Sequence, residues 1–111
     1  MSRAETQALI KHYYDAFNGG DGDTMIACLT DDNIHDVNQG ERRVGIDKFK
    51  AFNARMDHHY KERLENITIM VNDDGSRAAA EFNVNGTNLN TDSVLPEAKG
   101  QTYVLPAGTF F

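Results

Sequence analysis

The sequence predicts an α+β fold, a cone of three N-terminal helices packed on a curved, mainly antiparallel β-sheet. Two observations carry this. Up to Tyr60, apolar residues recur at three- and four-residue intervals, the spacing of one helix face. Beyond it the pattern changes to alternation, the period of a strand, cut by polar turn clusters. Helices first and meandering strands afterward place helices against one face of an antiparallel sheet.

The elements follow in order. Ser2 and Glu5 have capping-box spacing and start a helix whose stripe is Leu9, Ile10, Tyr13, Tyr14 and Phe17. Asn18-Gly19-Gly20 ends it, because glycine accepts the left-handed conformation there cheaply. Asp21 to Thr24 cap a shorter helix with Met25, Ile26, Cys28 and Leu29, which Thr30-Asp31-Asp32 breaks. Asn33 to Asn38 is the first strand, and Glu41 to Val44 returns as its hairpin partner after Gln39-Gly40. Gly45 and Asp47 open the third helix, with stripe Phe49, Phe52, Met56 and Tyr60. A long strand runs from about Glu62 to Asn72 and turns at Asp73-Asp74-Gly75-Ser76. The next, Arg77 to about Leu89, puts Ala78, Ala80, Phe82 and Val84 on one face and Ala79, Glu81, Asn83 and Asn85 on the other. Asn90 to Lys99 reads as loop, and Gly100 to Phe111 as the last strand. Phe17, Leu29, Phe49, Phe52, Met56, Ile69, Phe82 and Val84 are the expected core.

Bulk properties narrow the function. With 111 residues and no linker, the chain forms one domain, 1–111, large enough for a core without disulfides. Eleven basic against seventeen acidic residues give a net charge of −6, and Arg42-Arg43 is the only basic pair. A nucleic-acid partner is set aside, since binding phosphates needs a concentrated basic face. The lone Cys28 sits in an apolar run and reads as a small buried hydrophobe in a reducing compartment. No run approaches the roughly 20 apolar residues that span a bilayer, and the N-terminus lacks a secretory h-region, so no membrane partner and a cytoplasmic location are expected. Asp57-His58-His59 lacks helical ligand spacing, so no metal is expected. There is no Gly-rich phosphate loop, and no cofactor is expected.

The chemistry concentrates in Ile34 to Gly45, where His35, Asp36 and Asn38 stand on an early strand. Asp36 works as a general base if burial raises its pKa; otherwise it is a solvated residue paired with Arg42 or Arg43. His35 alternates with Asp36, so a regular strand sends only one of them to the pocket. With an unperturbed pKa near 6.5, His35 suits a proton shuttle; a structural histidine is the alternative. Tyr13 and Tyr14 diverge by roughly 100° around the helix, so one donates its hydroxyl to the pocket while the other packs. Asn38 and Gln39 either orient a ligand carbonyl or form the turn. Tyr14, Phe17, Asn38, Phe52, Met56, Tyr60 and Tyr103 are the expected ligand-binding residues.

Tyr-Tyr-Asp-Ala-Phe-Asn-Gly-Gly-Asp, Leu-Thr-Asp-Asp and His-Asp-Val-Asn-Gln-Gly-Glu-Arg-Arg-Val-Gly together resemble the SnoaL-like and ketosteroid isomerase-related branch of the nuclear transport factor two-like superfamily. The likeness covers nearly the whole chain in element order and is strongest from Tyr13 to Phe52. It implies a helix-one tyrosine donor at Tyr13 and an aspartate base on the first strand. That base is Asp36 counted back from Gly45, but Val37 counted forward from Asp31-Asp32, and a one-residue slip reverses the face. The late-strand acid of ketosteroid isomerases, a worked example of pKa tuning, has no counterpart, because Pro106-Ala107-Gly108 stands there.

The expected function is binding of a small, apolar or carbonyl-containing ligand, with cofactor-independent acid–base proton transfer as in an isomerase or cyclase. Asp36 would be the base, Tyr13 a donor to the enolate oxygen, and His35 or Asn38 an auxiliary group. The alternative is a non-catalytic ligand-binding or dimerisation module. The resemblance also implies a homodimer and one further strand past Phe110-Phe111. Two buried Phe side chains are worth roughly 3–6 kcal/mol, so Phe110 or Phe111 is expected to be covered by a partner or by the chain's own helices.

Overall fold

A computed structural model describes residues 1–37, 40–90 and 97–111. Among them are three helices, α1 (Arg3–Asn18), α2 (Gly22–Ala27) and α3 (Ile46–His59), and five strands: β1 (Ile34–His35), β2 (Arg43–Val44), β3 (Tyr60–Val71), β4 (Ala78–Asn88) and β5 (Thr102–Phe110). β3, β4 and β5 form an antiparallel sheet in that order, while β1 and β2 pair as a separate antiparallel hairpin. The hairpin strands are shorter than the sequence pattern suggests. No helix among the described residues is long and apolar enough to cross a membrane.

Local chemistry sets the helix ends. Glu5 N–H donates to Ser2 Oγ and Ser2 N–H to Glu5 Oε1, both at 3.1 Å, completing the capping box. Thr24 N–H donates to the Asp21 carboxylate at 3.1 Å and starts α2. At its other end α3 runs directly into β3.

Helix α1 is fastened along β3 at two places. At its C-terminus the Asn18 amide donates to Leu64 C=O at 2.9 Å and accepts from Leu64 N–H at 2.8 Å. β3 is an edge strand of its sheet, so one side-chain amide replaces the missing neighbour at that residue. Near its N-terminus, Thr6 Oγ1 donates to Gly75 C=O at 2.7 Å in the β3–β4 turn. Gly75 has φ +77°, and a Cβ there would lie 2.5 Å from the Ser2 backbone, so only glycine lets this turn close against α1. Beyond Leu64 the β3–β4 register shifts between Glu65 and Thr68, with Asn66 at φ 54°, and a bulge of this kind bends its strand.

Between the two fastenings lies the core of Ile10, Tyr14, Leu64, Ala78 and Ala80, with Phe17, Ile69, Phe82 and Val84 packed against it. The alternation along β4 is as the sequence predicts. The burial depths are not. Of the eight residues expected in the core only Phe49 is buried; Phe17, Leu29, Phe52, Met56, Ile69, Phe82 and Val84 are half-buried. Helices cover the inner face over β3 but leave its β5 side open, where Leu105 is 54% exposed. Ala80, 1% exposed, takes the tightest place, and Ile10, Tyr14, Met25 and Leu64 are buried with it. Within the chain neither terminal phenylalanine is covered as expected: Phe110 is 89% and Phe111 44% exposed, although the Phe111 ring turns inward to 6.2 Å from Tyr14.

Asn18→Ala removes two partly buried hydrogen bonds and reopens the β3 edge. At about 0.5–1.5 kcal/mol each, the loss should be about 1–3 kcal/mol. Chemical denaturation measures it, and a change under about 0.5 kcal/mol contradicts the fastening role.

Candidate functional site

Alternation along β1 decides which side chains turn inward. Ile34 and Asp36 are exposed, while His35 and Val37 are half-buried. The hairpin register pairs His35 with Arg43, and directly opposed residues share a face, so Arg43 joins His35 on the α3 side. The imidazole stands edge-on to two rings of α3, Phe49 at 5.2 Å and Phe52 at 4.7 Å between centroids. The Arg43 guanidinium lies over the Phe52 ring at 5.0 Å.

His35 Nδ1 is buried and has no hydrogen-bond partner among the described residues. Burial, reinforced by the Arg43 charge and opposed by Asp36, holds the imidazole below its ordinary pKa. His35 is therefore neutral at pH 7, and a neutral imidazole can accept a proton.

Asp36 does not turn inward, contrary to the sequence expectation. Its carboxylate accepts from Arg42 Nε and Nη2 at 2.8 and 2.9 Å, and its side chain is 56% exposed. The Arg42 hydrogen bonds hold its pKa below the usual carboxylate range. A solvated carboxylate with both oxygens engaged, on the face away from His35, is poorly placed as a general base. The inward register position is Val37, and the inward polar group is its neighbour on the same face, His35.

A second polar cluster lies on the sheet. Tyr103 hydroxyl donates to Glu62 Oε2 at 2.6 Å, with the Tyr60 ring 6.5 Å from that of Tyr103. The Tyr103 ring crosses Gly86, where a Cβ would sit 2.2 Å from Cζ. Burial and the Glu62 bond push the Tyr103 hydroxyl well above the ordinary tyrosine range. At the end of the same row Asn88, 6% exposed, keeps Oδ1 without a partner among the described residues. The two clusters draw on consecutive elements: α3 carries Phe49 and Phe52 and leads directly into Tyr60 at the start of β3.

Tyr13 and Tyr14 divide as their helical divergence requires. Tyr14 is core, 4% exposed, with its ring 5.3 Å from Phe82, and burial raises its pKa. Tyr13 is half-buried beside Cys28, and burial raises its pKa so that it stays protonated. Phe17, Phe52, Met56 and Tyr60 are half-buried, and Asn38 lies outside the described residues. A groove of about 250 Å³ between α1 and β3, lined by Gln7, Lys11, Tyr14, Asp15, Ile67 and Ile69, holds none of the inward titratable groups of either cluster.

Sequence reasoning missed Glu62, Asn88 and the inward turn of Arg43. A signal existed for Glu62: alternation puts it on the face of Leu64, opposite Gly86, and glycine inside a strand marks close approach.

Comparison with known proteins adds independent information. A model of the SnoaL-like domain matches residues 10–111. A structure from Pseudomonas putida KT2440, of a protein proposed to be a polyketide cyclase, is 55% identical at a TM-score of 0.94; the match covers 96% of this chain and 80% of that one. A similarly described protein from Xanthomonas campestris pv. campestris is 48% identical at a TM-score of 0.95, covering 98% and 81%. An M. tuberculosis epoxide hydrolase, 19% identical with a TM-score of 0.60 over 78% of this chain and 60% of its own, shares the fold alone. No curated protein matches.

Gly86→Ala must displace the Tyr103 ring and break its bond to Glu62. The Tyr103 hydroxyl should then ionise at lower pH, toward the ordinary value near 10. Alkaline titration followed on labelled tyrosine by NMR checks this, and an unchanged Tyr103 titration contradicts it.

Proposed function

The chain belongs to the SnoaL-like domain family of the nuclear transport factor two-like superfamily, and from that premise we propose that it is a cofactor-independent cyclase or isomerase acting on a small, mainly apolar carbonyl compound. The observation that carries this reading is His35: an inward, neutral imidazole with a buried, unpartnered Nδ1 between two aromatic rings. It takes the role that the sequence offered to Asp36. The description of the Pseudomonas and Xanthomonas proteins supports the reaction class.

The step would run as follows. The imidazole removes a proton from the carbon beside the substrate carbonyl, and the bonding pair moves onto the carbonyl oxygen as an enolate. Tyr13, protonated at pH 7, is the proposed hydrogen-bond donor to that oxygen. The enolate carbon then attacks a second carbonyl, whose π pair becomes an alkoxide that takes the proton from the imidazolium as the ring closes, or the enolate takes that proton back at another carbon. Tyr60 and Tyr103, with Phe17, Phe52 and Met56, would form the wall against the apolar part. A non-catalytic binding module is the competing reading, favoured by Gly108, which pairs with Glu81 on β5 and supplies no acid.

Deuterium exchange into a β-keto ester, followed by NMR, tests the chemistry. A general base contributes about 10²–10⁴-fold, so His35→Asn should lose that much while Asp36→Asn stays within about twofold of the parent. The parent rate should fall as pH drops through the His35 pKa, which lies below 6.5, and stay flat above it. Loss in Asp36→Asn with retention in His35→Asn overturns the assignment, and no acceleration by the parent chain favours the binding module.

We also propose a homodimer through the outer sheet face, where Met70, Ala79 and Phe110 stand side by side across β3, β4 and β5. Sedimentation should show a dimer that Phe110→Glu dissociates; a monomeric parent chain at high micromolar concentration contradicts it.

A further inference from the structure

The only basic pair in the sequence is split by strand alternation, and its two halves are in different chemical situations. Arg42 turns outward and is neutralised by Asp36 in a two-point pair. Arg43 turns the other way, half-buried, opposite His35 in the register. Among the described residues no carboxylate pairs with it; its Nη1 reaches only the Glu41 carbonyl at 3.3 Å. Its guanidinium rests on the Phe52 ring, the same ring that His35 meets edge-on. A half-buried cation on an apolar surface without a counter-ion is costly to maintain, and arginine's planar fork fits a two-oxygen anion better than any other side chain.

We infer that Arg43 is a substrate-anchoring residue, so that the pocket takes small, mainly apolar molecules bearing a carboxylate, held against Phe52 beside His35. This rests on the reading that the inner face of the hairpin holds substrate and deepens it by naming the class of molecule. The apolar body would lie on Phe52, and the carboxylate would accept two hydrogen bonds from the guanidinium. The arrangement has a consequence for His35. The Arg43 charge disfavours protonation of the imidazole, and a bound carboxylate offsets that charge, making His35 a stronger proton acceptor when an acid occupies the site.

The test uses two probes of one shape, a naphthalene carboxylate and its uncharged carboxamide, titrated into the full chain while the His35 ring is followed by NMR. The carboxylate should bind at least tenfold more tightly than the carboxamide and shift the His35 resonances. Arg43→Gln should bring the carboxylate down to the affinity of the carboxamide, whose own affinity stays within about twofold, and Arg43→Lys should keep part of the preference. Thermal melts of both variants establish that they are folded. A purely structural cation over Phe52 would change the melts and leave the carboxylate preference in place, and that result overturns the inference. So does equal binding of both probes to the parent chain. If neither probe moves His35, the pocket reading itself fails, and this inference with it.

Discussion

The inner face of this protein depends on α1 being held along the edge strand β3. Hydrophobic packing of Ile10 and Tyr14 against Leu64, Ala78, Ala80 and Phe82 buries the helix face but is non-directional, so by itself it does not fix where the helix sits along the strand. Two side chains remove that freedom. Asn18 closes both backbone bonds of Leu64, and Thr6 binds the turn at Gly75, so the helix is registered to the strand at each end. The bulge that follows Leu64 starts from this fixed point. Before the bulge, unbroken alternation carries Tyr60 and Glu62 on the same face as Leu64, and the Glu62 carboxylate meets Tyr103 there.

A second constraint sorts the charges. The hairpin is short, yet its alternation separates Asp36 and Arg42 from His35 and Arg43. Asp36 and Arg42 satisfy one another in solvent, while His35 and Arg43 share the face against α3. The two faces differ chemically because only the outer one pairs its charges. The sheet repeats the theme at Tyr103 and Glu62, where hydroxyl and carboxylate are matched while Asn88 Oδ1 is left over. Unmatched buried polar atoms are uncommon in folded proteins, and the two side-chain examples among the described residues, on His35 and Asn88, lie next to groups suited to holding a small molecule.

Much of the architecture was legible in the sequence. The capping box, the glycine stop at the end of α1, the Asp73 to Ser76 turn and the two-faced alternation of β4 each follow from a local rule, and each is present. Burial depth was not legible, because it depends on how much of the sheet the helices cover, and periodicity carries only direction. Hence Phe17, Phe82 and Val84 point the expected way but remain half-exposed. The site failed at one point for a physical reason. Two counts placed the base at Asp36 or at Val37, and strand alternation turns that single-residue ambiguity into opposite faces. Arg42 settles it by drawing Asp36 outward, an interaction the sequence offered as an alternative but could not select. Glu62 was passed over because its signal, the glycine opposite it on β4, can be read only once the strand register is known, and its partner Tyr103 comes from a strand 41 residues later.

The central claim is that His35, and not Asp36, is the proton acceptor on the inner face. Nitrogen-15 NMR of the His35 ring as a function of pH tests it most directly. The account predicts an imidazole that is neutral at pH 7 and protonates only below 6.5, as burial beside Arg43 requires. A ring that protonates at or above 6.5, as a solvated histidine would, contradicts it.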